Sequence, residues 1–124
     1  MIQTGAVLNV ADNSGVYTVL CIQILKRKKT MSQIGDELVV SVRSIMINKR
    51  VRLHCGEVLH ALLIRKKGWL LRNDGTHLKF RTNAVVLIQS KTKTLLAARI
   101  KGPVTRELRK KKFLRIICMA STII

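Results

Sequence analysis

The sequence predicts a mainly β fold, a small barrel of about five strands that carries one β-hairpin and is followed by one or two short α-helices. Short apolar segments alternate with turn-forming residues about every ten positions, a spacing typical of strands and tight turns rather than of βαβ units. The 124 residues leave room for one domain. A barrel is favoured because it closes the two edges that an open sheet would expose.

Five segments have the apolar pattern of strands, namely residues 5–10, 17–25, 38–43, 57–64 and 83–88. Alternation predicts one buried face in two of them, made of Leu20, Ile22 and Ile24 in the second and of Leu38, Val40 and Val42 in the third. Turn formers at residues 12–15 and at Gly35-Asp36 separate these strands. Asn73-Asp74-Gly75 predicts the hairpin turn between residues 69–71 and 77–80.

After Gly102-Pro103 the spacing of apolar residues changes from that of strands to that of helices. Apolar residues at Val104, Leu108, Phe113 and Ile117 have helical spacing, and a proline suits the start of a helix. We therefore expect residues 1–124 to form a single domain. Its barrel and hairpin would occupy about residues 1–100, and a helical C-terminal region about residues 101–124.

The charge balance narrows the classes of function. The chain carries 24 Lys and Arg against 6 Asp and Glu, a formal net charge of +18. So few carboxylates argue against an enzyme, and the sequence contains neither a Gly-rich phosphate loop nor a nucleophile motif. We expect no catalytic residues, no cofactor and no small-molecule substrate. The hydrophobic share of 48 % excludes a disordered basic tail.

The cysteines predict free thiols rather than a metal site or a disulfide framework. Cys21, Cys55 and Cys118 are widely spaced, which fits a reducing compartment. Cys21 and Cys118 lie in aliphatic segments, so we expect both to be buried. Cys55 has His54 beside it and His60 nearby, too few ligands for a structural zinc ion, and no metal is expected.

Membrane and targeting signals are weak. No apolar run approaches the roughly twenty residues that span a bilayer. Residues 1–5 have neither the basic start and apolar core of a signal peptide nor an Arg-rich transit helix. We expect a protein that works in the compartment where it is made, without a membrane partner.

Basic residues are concentrated in four blocks that fall in predicted loops, in the hairpin or in the C-terminal region. A barrel that holds several cationic segments outward suits phosphate contacts spread over a folded RNA. An aromatic share of 3 % argues against the stacking surfaces of single-strand binders, and no DNA-binding motif is present. Structured RNA is therefore the predicted ligand. The blocks comprise Lys26, Arg27, Lys28 and Lys29; Lys49, Arg50 and Arg52; Arg65, Lys66, Lys67, Arg72 and Lys79; and Arg106, Arg109, Lys110, Lys111, Lys112 and Arg115.

Three ordered motifs carry a family resemblance that covers essentially the whole chain. The first is Val-Ala-Asp-Asn-Ser-Gly at residues 10–15, with Met-Ile-Gln at 1–3 and Leu-Asn at 8–9. The second is Ala-Leu-Leu-Ile at 61–64 with Asp74-Gly75, Phe80, Asn83 and Val86-Leu87, and the third is Gly-Pro-Val-Thr-Arg-Glu-Leu-Arg at 102–109 with Phe113. On these motifs the sequence resembles the universal large-subunit ribosomal protein fourteen family, in its bacterial or organellar form.

The resemblance implies a five-stranded β-barrel with a protruding β-hairpin and a C-terminal region of small helices. It also implies a structural role in the large ribosomal subunit, bound to the large-subunit rRNA at the subunit interface, with a bridge to small-subunit rRNA. Implied protein partners are neighbouring large-subunit proteins of families three and nineteen and a ribosome-silencing factor on the C-terminal side. The positions it matches are Asn9, Asp12, Asn13, Ser14 and Gly15 in the opening motif, of which Asn9, Asn13 and Ser14 are taken as RNA contacts, and the basic residues Arg65, Arg99, Arg106 and Arg109.

The chain also departs from the bacterial pattern. It has fewer acids and more Lys and Arg, Lys101 stands where an aromatic residue is usual, and Ala98 where a hydroxyl residue is usual. These departures favour an organelle-encoded protein of a mitochondrial ribosome in the matrix, with the bacterial cytoplasm and the plastid as alternatives. The same basic surface would suit a free regulatory RNA-binding module outside the ribosome, which is the alternative function.

Overall fold

Nine strands and two short helices build the part of the chain that the computed structural model describes. The described residues are 2–25, 31–47, 50–111 and 113–124, with the backbone alone at residues 110 and 111. In chain order the elements are β1 (Val7–Val10), β2 (Val16–Ile24), β3 (Glu37–Ile45), β4 (Val58–Arg65), β5 (Gly68–Leu71), β6 (His77–Phe80), β7 (Ala84–Ile88), β8 (Ile100–Val104), a 3-10 helix (Arg106–Lys111), α1 (Leu114–Met119) and β9 (Ala120–Ile123).

The predicted five-stranded barrel is confirmed. Its strands follow the order β1-β2-β3-β4-β7, and β1 closes the ring by pairing in parallel with β7 through Asn9 opposite Ala84. The predicted hairpin, β5 paired with β6, is inserted between β4 and β7, which are themselves hydrogen-bonded neighbours. The hairpin therefore cannot continue the barrel wall and protrudes from it.

The barrel interior is an aliphatic core. The predicted face of Leu38, Val40 and Val42 on β3 is confirmed, since all three are buried there. They pack with inward-facing residues of the other barrel strands. Strands of alternating burial, with one face inward, are what an antiparallel barrel requires. The main inward partners are Leu8, Val19, Cys21, Ala61, Leu63, Val85 and Leu87.

The predicted buried face of β2 is wrong in part. Ile24 is buried, but Ile22 is 45 % exposed and Leu20 only half-buried, while Val19 and Cys21 point into the core. The register of β2 against β3 shifts three times, the last time directly after Cys21. Each extra residue at such a bulge reverses the inside-outside alternation, which a strict period of two cannot anticipate.

A second apolar cluster covers the outer face of β4 and β7. Residues 61–64 of β4 and all of β7 are buried on both faces, which explains their continuous apolar runs. Their outward residues pack against side chains of the C-terminal region, so the last quarter of the chain is fastened to the barrel by apolar burial. The cluster includes Leu62, Ile64, Ala84, Val86 and Ile88 from the barrel and Ile100, Val104, Leu108, Ile116 and Ile117 from the C-terminal region.

The described C-terminal region contains one short α-helix, as expected, together with a 3-10 helix and two unexpected strands. The predicted helical stretch from Val104 is wrong at its start, because Val104 ends β8 and β8 pairs in parallel with β9. Gly102 and Pro103 lie within β8 rather than breaking the chain. Val104 and Leu108 are both buried, and a separation of four fits one face of a strand as well as of a helix, so this spacing does not show where the helix begins.

The three cysteines are free thiols, as the sequence predicts. Cys21 is buried as expected, and burial raises the pKa of its thiol. The prediction that Cys118 is buried is wrong. Helix α1 turns Ile116 and Ile117 toward the second cluster, and Cys118 falls on the exposed side.

Candidate nucleic-acid interface

Most of the basic side chains that the sequence selects as RNA contacts, and that the structure describes, lie at the surface. Arg65, Lys66 and Arg72 are half-buried, and the exposed ones are Arg50, Arg52, Lys67, Lys79, Arg99, Arg106, Arg109 and Arg115. Lys26, Arg27, Lys28, Lys29, Lys49 and Lys112 lie outside the described residues, as do the side chains of Lys110 and Lys111. Of the polar candidates, Asn9 and Asn13 are exposed and Ser14 is half-buried.

The few carboxylates are already engaged within the fold. Two ion pairs join side chains in the described ranges, Lys93 with Glu37 and Arg72 with Glu107. The other four carboxylates accept hydrogen bonds from nearby backbone N–H groups: Asp12 from Ser14, Asp36 from Gln33, Glu57 from His54 and Asp74 from Thr76. Internal carboxylates therefore cannot neutralise the surplus of Lys and Arg.

The opening motif is fastened to β8. The side-chain carbonyl Oδ1 of Asn13 accepts hydrogen bonds from the backbone N–H groups of Ala98 and Arg99, at 3.0 and 3.1 Å. The N–H of Lys101 donates to the carbonyl oxygen of Ala11 at 2.6 Å. Asn13 thus positions the segment that carries Arg99. Its Oδ1 already accepts two hydrogen bonds within the protein. Contacts of the Asn13 amide, Asn9 and Ser14 with RNA stay predictions.

Arg65 is the cation whose surroundings point most clearly to an external ligand. It ends β4, is half-buried, and burial lowers the pKa of its guanidinium. Its buried Nε has no hydrogen-bond partner among the residues that the structure describes. The guanidinium lies against Gly102 of β8, whose φ of +82° favours glycine, and a Cβ at that position would clash with Nη1 of Arg65. An acceptor from outside the described residues would stabilise a half-desolvated cation held against backbone in this way.

Arg72 has an internal partner instead. Its Nε donates to Oε1 of Glu107 at 2.6 Å, and its Nη2 donates to Oε2 of Glu107 at 3.2 Å and to the carbonyl oxygen of Ile124 at 2.7 Å. The side chains are 12 % and 26 % exposed. A bidentate pair of this kind fixes geometry as well as charge. Arg72 therefore joins the hairpin to the C-terminal region, and any RNA contact it makes would be additional.

Glu107 makes this junction sensitive to acid. Burial by itself would raise the pKa of Glu107, but hydrogen bonds from Arg72 and the backbone, with the attraction of the Arg72 charge, hold it below its ordinary value of 4.5. A carboxyl group with a depressed pKa in the folded state contributes stability above its unfolded pKa. That contribution is lost as the pH falls through the folded value.

We expect Glu107→Gln to lower the free energy of unfolding near neutral pH and to lose this disadvantage progressively below about pH 4.5. The measurement is urea unfolding of the wild type and the variant at a series of pH values. A gap between the two that stays constant from about pH 3 to about pH 7 would contradict the role given to the Arg72–Glu107 pair.

Several basic residues at the surface lie outside the blocks that the sequence predicts. Arg43, Arg81 and Lys101 are exposed, and each stands alone in a strand or turn rather than in a block. In the sequence Gly102 belongs only to a motif, whereas in the fold it makes room for Arg65. The contact between Gly102 and Arg65 joins residues 37 positions apart, so local pattern carries no signal for it.

The residues considered for zinc do not form a site. His54 and Cys55 are exposed and His60 is half-buried on β4. Among the described residues, no three His, Cys, Asp or Glu side chains are grouped so that they could hold a metal ion. Within the same ranges, no helix has the length and apolar character needed to cross a membrane.

Fold and surface together define a small, strongly basic β-barrel protein whose surplus cations face outward. The family model for ribosomal protein L14p/L23e matches residues 1–124, the whole length of the chain. The chain therefore belongs to the ribosomal protein L14p/L23e family, as its three motifs indicate. Members of this family are structural components of the ribosome and not enzymes. Family membership therefore assigns this chain to the ribosome.

Proposed function

We propose that this protein binds large-subunit rRNA and acts as a scaffold that lets rRNA segments pack closely. The observation that carries the proposal is the charge imbalance: a net charge of +18, with the carboxylates already engaged inside the fold. Such a surface is self-repulsive in the free protein and is relieved when phosphates bind. Each neutralised phosphate also releases counterions, which favours association.

The rigid barrel gives this scaffold its geometry. The backbone of Arg99 is held through Asn13, and the guanidinium of Arg65 is held between β4 and β8, so at least one cation is oriented before RNA arrives. Preoriented cations lose less conformational entropy on binding than flexible ones.

Family membership supports placing the RNA-bound protein at the subunit interface, with a bridge to small-subunit rRNA. It likewise supports neighbours from families three and nineteen and a ribosome-silencing factor as partners. The basic, aliphatic-rich composition supports a mitochondrial ribosome.

The experiment is sedimentation of a tagged full-length chain from its native lysate after a high-salt wash. We expect co-migration with the large subunit and with joined ribosomes, because many distributed phosphate contacts dissociate together only slowly. The proteins that co-migrate identify the neighbours and the compartment. Release of the protein into the soluble fraction would contradict the scaffold role and favour the alternative, an RNA-binding module outside the ribosome.

A further inference from the structure

The outer face of the protruding hairpin carries an unusual apolar surface. Trp69 and Leu71 alternate on β5, so both point to the same side, and they are 63 % and 71 % exposed. The inner side of the hairpin is different, because Leu70 and Phe80 pack against the second apolar cluster. The hairpin is thus anchored by one face and presents an indole on the other.

Polar and cationic groups surround this indole. Lys79 stands directly opposite Trp69 on β6, and its Nζ lies 5.1 Å from the centre of the Trp69 ring. The ring of His77 meets Trp69 edge-on, with centroids 6.2 Å apart and planes at 79°. These contacts hold the indole in one orientation while most of its surface stays open. An ordered, exposed aromatic ring beside an ammonium group suits a ligand with a flat π-system next to a phosphate.

We propose that Trp69 stacks on an unpaired base of the RNA and that Lys79 contacts the phosphate of that nucleotide. The proposal rests on the function proposed above and adds a base contact to its phosphate contacts. Charge selects RNA over a protein partner: residues 65–81 contain six Lys or Arg and one acid, Asp74, which is bonded to Thr76 in the turn. One stacking position is also compatible with a chain that has so few aromatic residues, since only one splayed base is held.

Trp69 is the only tryptophan in the chain, so its fluorescence reports directly on this surface. The purified full-length protein is titrated at low salt with an oligoadenylate of about six nucleotides. A matched oligomer of the same length lacks the bases but keeps the ribose-phosphate backbone. We expect both oligomers to bind, with affinities that fall as salt is raised, but only the base-bearing one to quench the fluorescence of Trp69.

Variants separate stacking from charge. We expect Trp69→Ala to weaken binding of the base-bearing oligomer about fivefold to tenfold, measured by anisotropy of a labelled strand, with no change for the abasic oligomer. Trp69→Phe should recover part of the loss, because a smaller ring still stacks. The control is Tyr17→Ala, which removes an aromatic residue of similar exposure from the barrel surface and should leave both affinities unchanged. Thermal unfolding of each variant checks that the barrel remains folded.

Each result bears on one proposal or the other. Equal binding of the two oligomers without quenching would overturn the stacking site while leaving the phosphate contacts intact. Failure of both oligomers to bind would contradict the proposed RNA-binding function itself. Unchanged RNA affinity of Trp69→Ala, with loss of a neighbouring large-subunit protein from the washed particle, would show that this face docks protein and would overturn the stacking proposal.

Discussion

Replacing Asp12 with alanine is expected to lower the free energy of unfolding by about 3 kcal/mol or more. Asp12 is 2 % exposed. Its Oδ1 accepts hydrogen bonds from the backbone N–H and the hydroxyl of Ser14, and its Oδ2 accepts the N–H of Leu87 at 2.9 Å. Alanine would leave the N–H of Leu87 buried and unpaired, and the opening turn would lose this side-chain hydrogen bond to β7.

A matched control exists in the hairpin turn. Asp74 also accepts hydrogen bonds from the N–H and the hydroxyl of the residue two positions later, Thr76, at 3.0 and 2.6 Å. It is exposed, and water can replace it, so Asp74→Ala should cost much less than Asp12→Ala. Asp12→Asn should fall between the two, because it keeps one acceptor oxygen. Equilibrium urea unfolding measures all three, and equal losses for the two alanine variants would contradict a special role for the buried carboxylate.

The sequence predicted the barrel well because its strands are short, apolar and separated by strong turn formers. The hairpin followed from Asn73-Asp74-Gly75, and the face of β3 followed from strict alternation. The face of β2 did not, since bulges depend on pairing with β3 and leave no mark in the sequence of β2. The parallel pairing of β8 with β9 joins segments about twenty residues apart and was equally invisible to local patterns.

The candidate site was likewise predictable only in part from the sequence. Residue type and clustering were enough to select Arg65 and Arg72 together as cations of one block. Their environments differ because of partners that lie far along the chain, Gly102 for one and Glu107 for the other. Composition predicts how much positive charge a surface carries. Only tertiary structure distinguishes a cation with an internal carboxylate from one that has none among the described residues.

Arg65 and Arg72 should therefore respond in opposite directions to the same substitution. We expect Arg65→Met to stabilise the free protein slightly, by about 1 kcal/mol, because it removes a half-desolvated charge with an unpartnered Nε and keeps most of the side-chain volume. Arg72→Met should destabilise it, because Glu107 loses the partner that compensates its burial. Urea unfolding of both variants near neutral pH tests this reversal of sign.

RNA affinity should depend strongly on Arg65 and little on Arg72. Arg65→Met is expected to weaken binding to a large-subunit rRNA fragment about tenfold to a hundredfold, since a preoriented, charge-assisted contact to phosphate is lost. The slope of log affinity against log salt should fall by about one unit. Arg72→Met should change affinity little, because its Nε and Nη2 already bind Glu107 and Ile124.

If Arg65→Met destabilised the free protein and left RNA binding intact, Arg65 would be a structural residue, and the exposed cations would have to account for the affinity. A stabilised variant that binds RNA poorly would instead show that the fold keeps a costly cation because the RNA supplies its counter-charge.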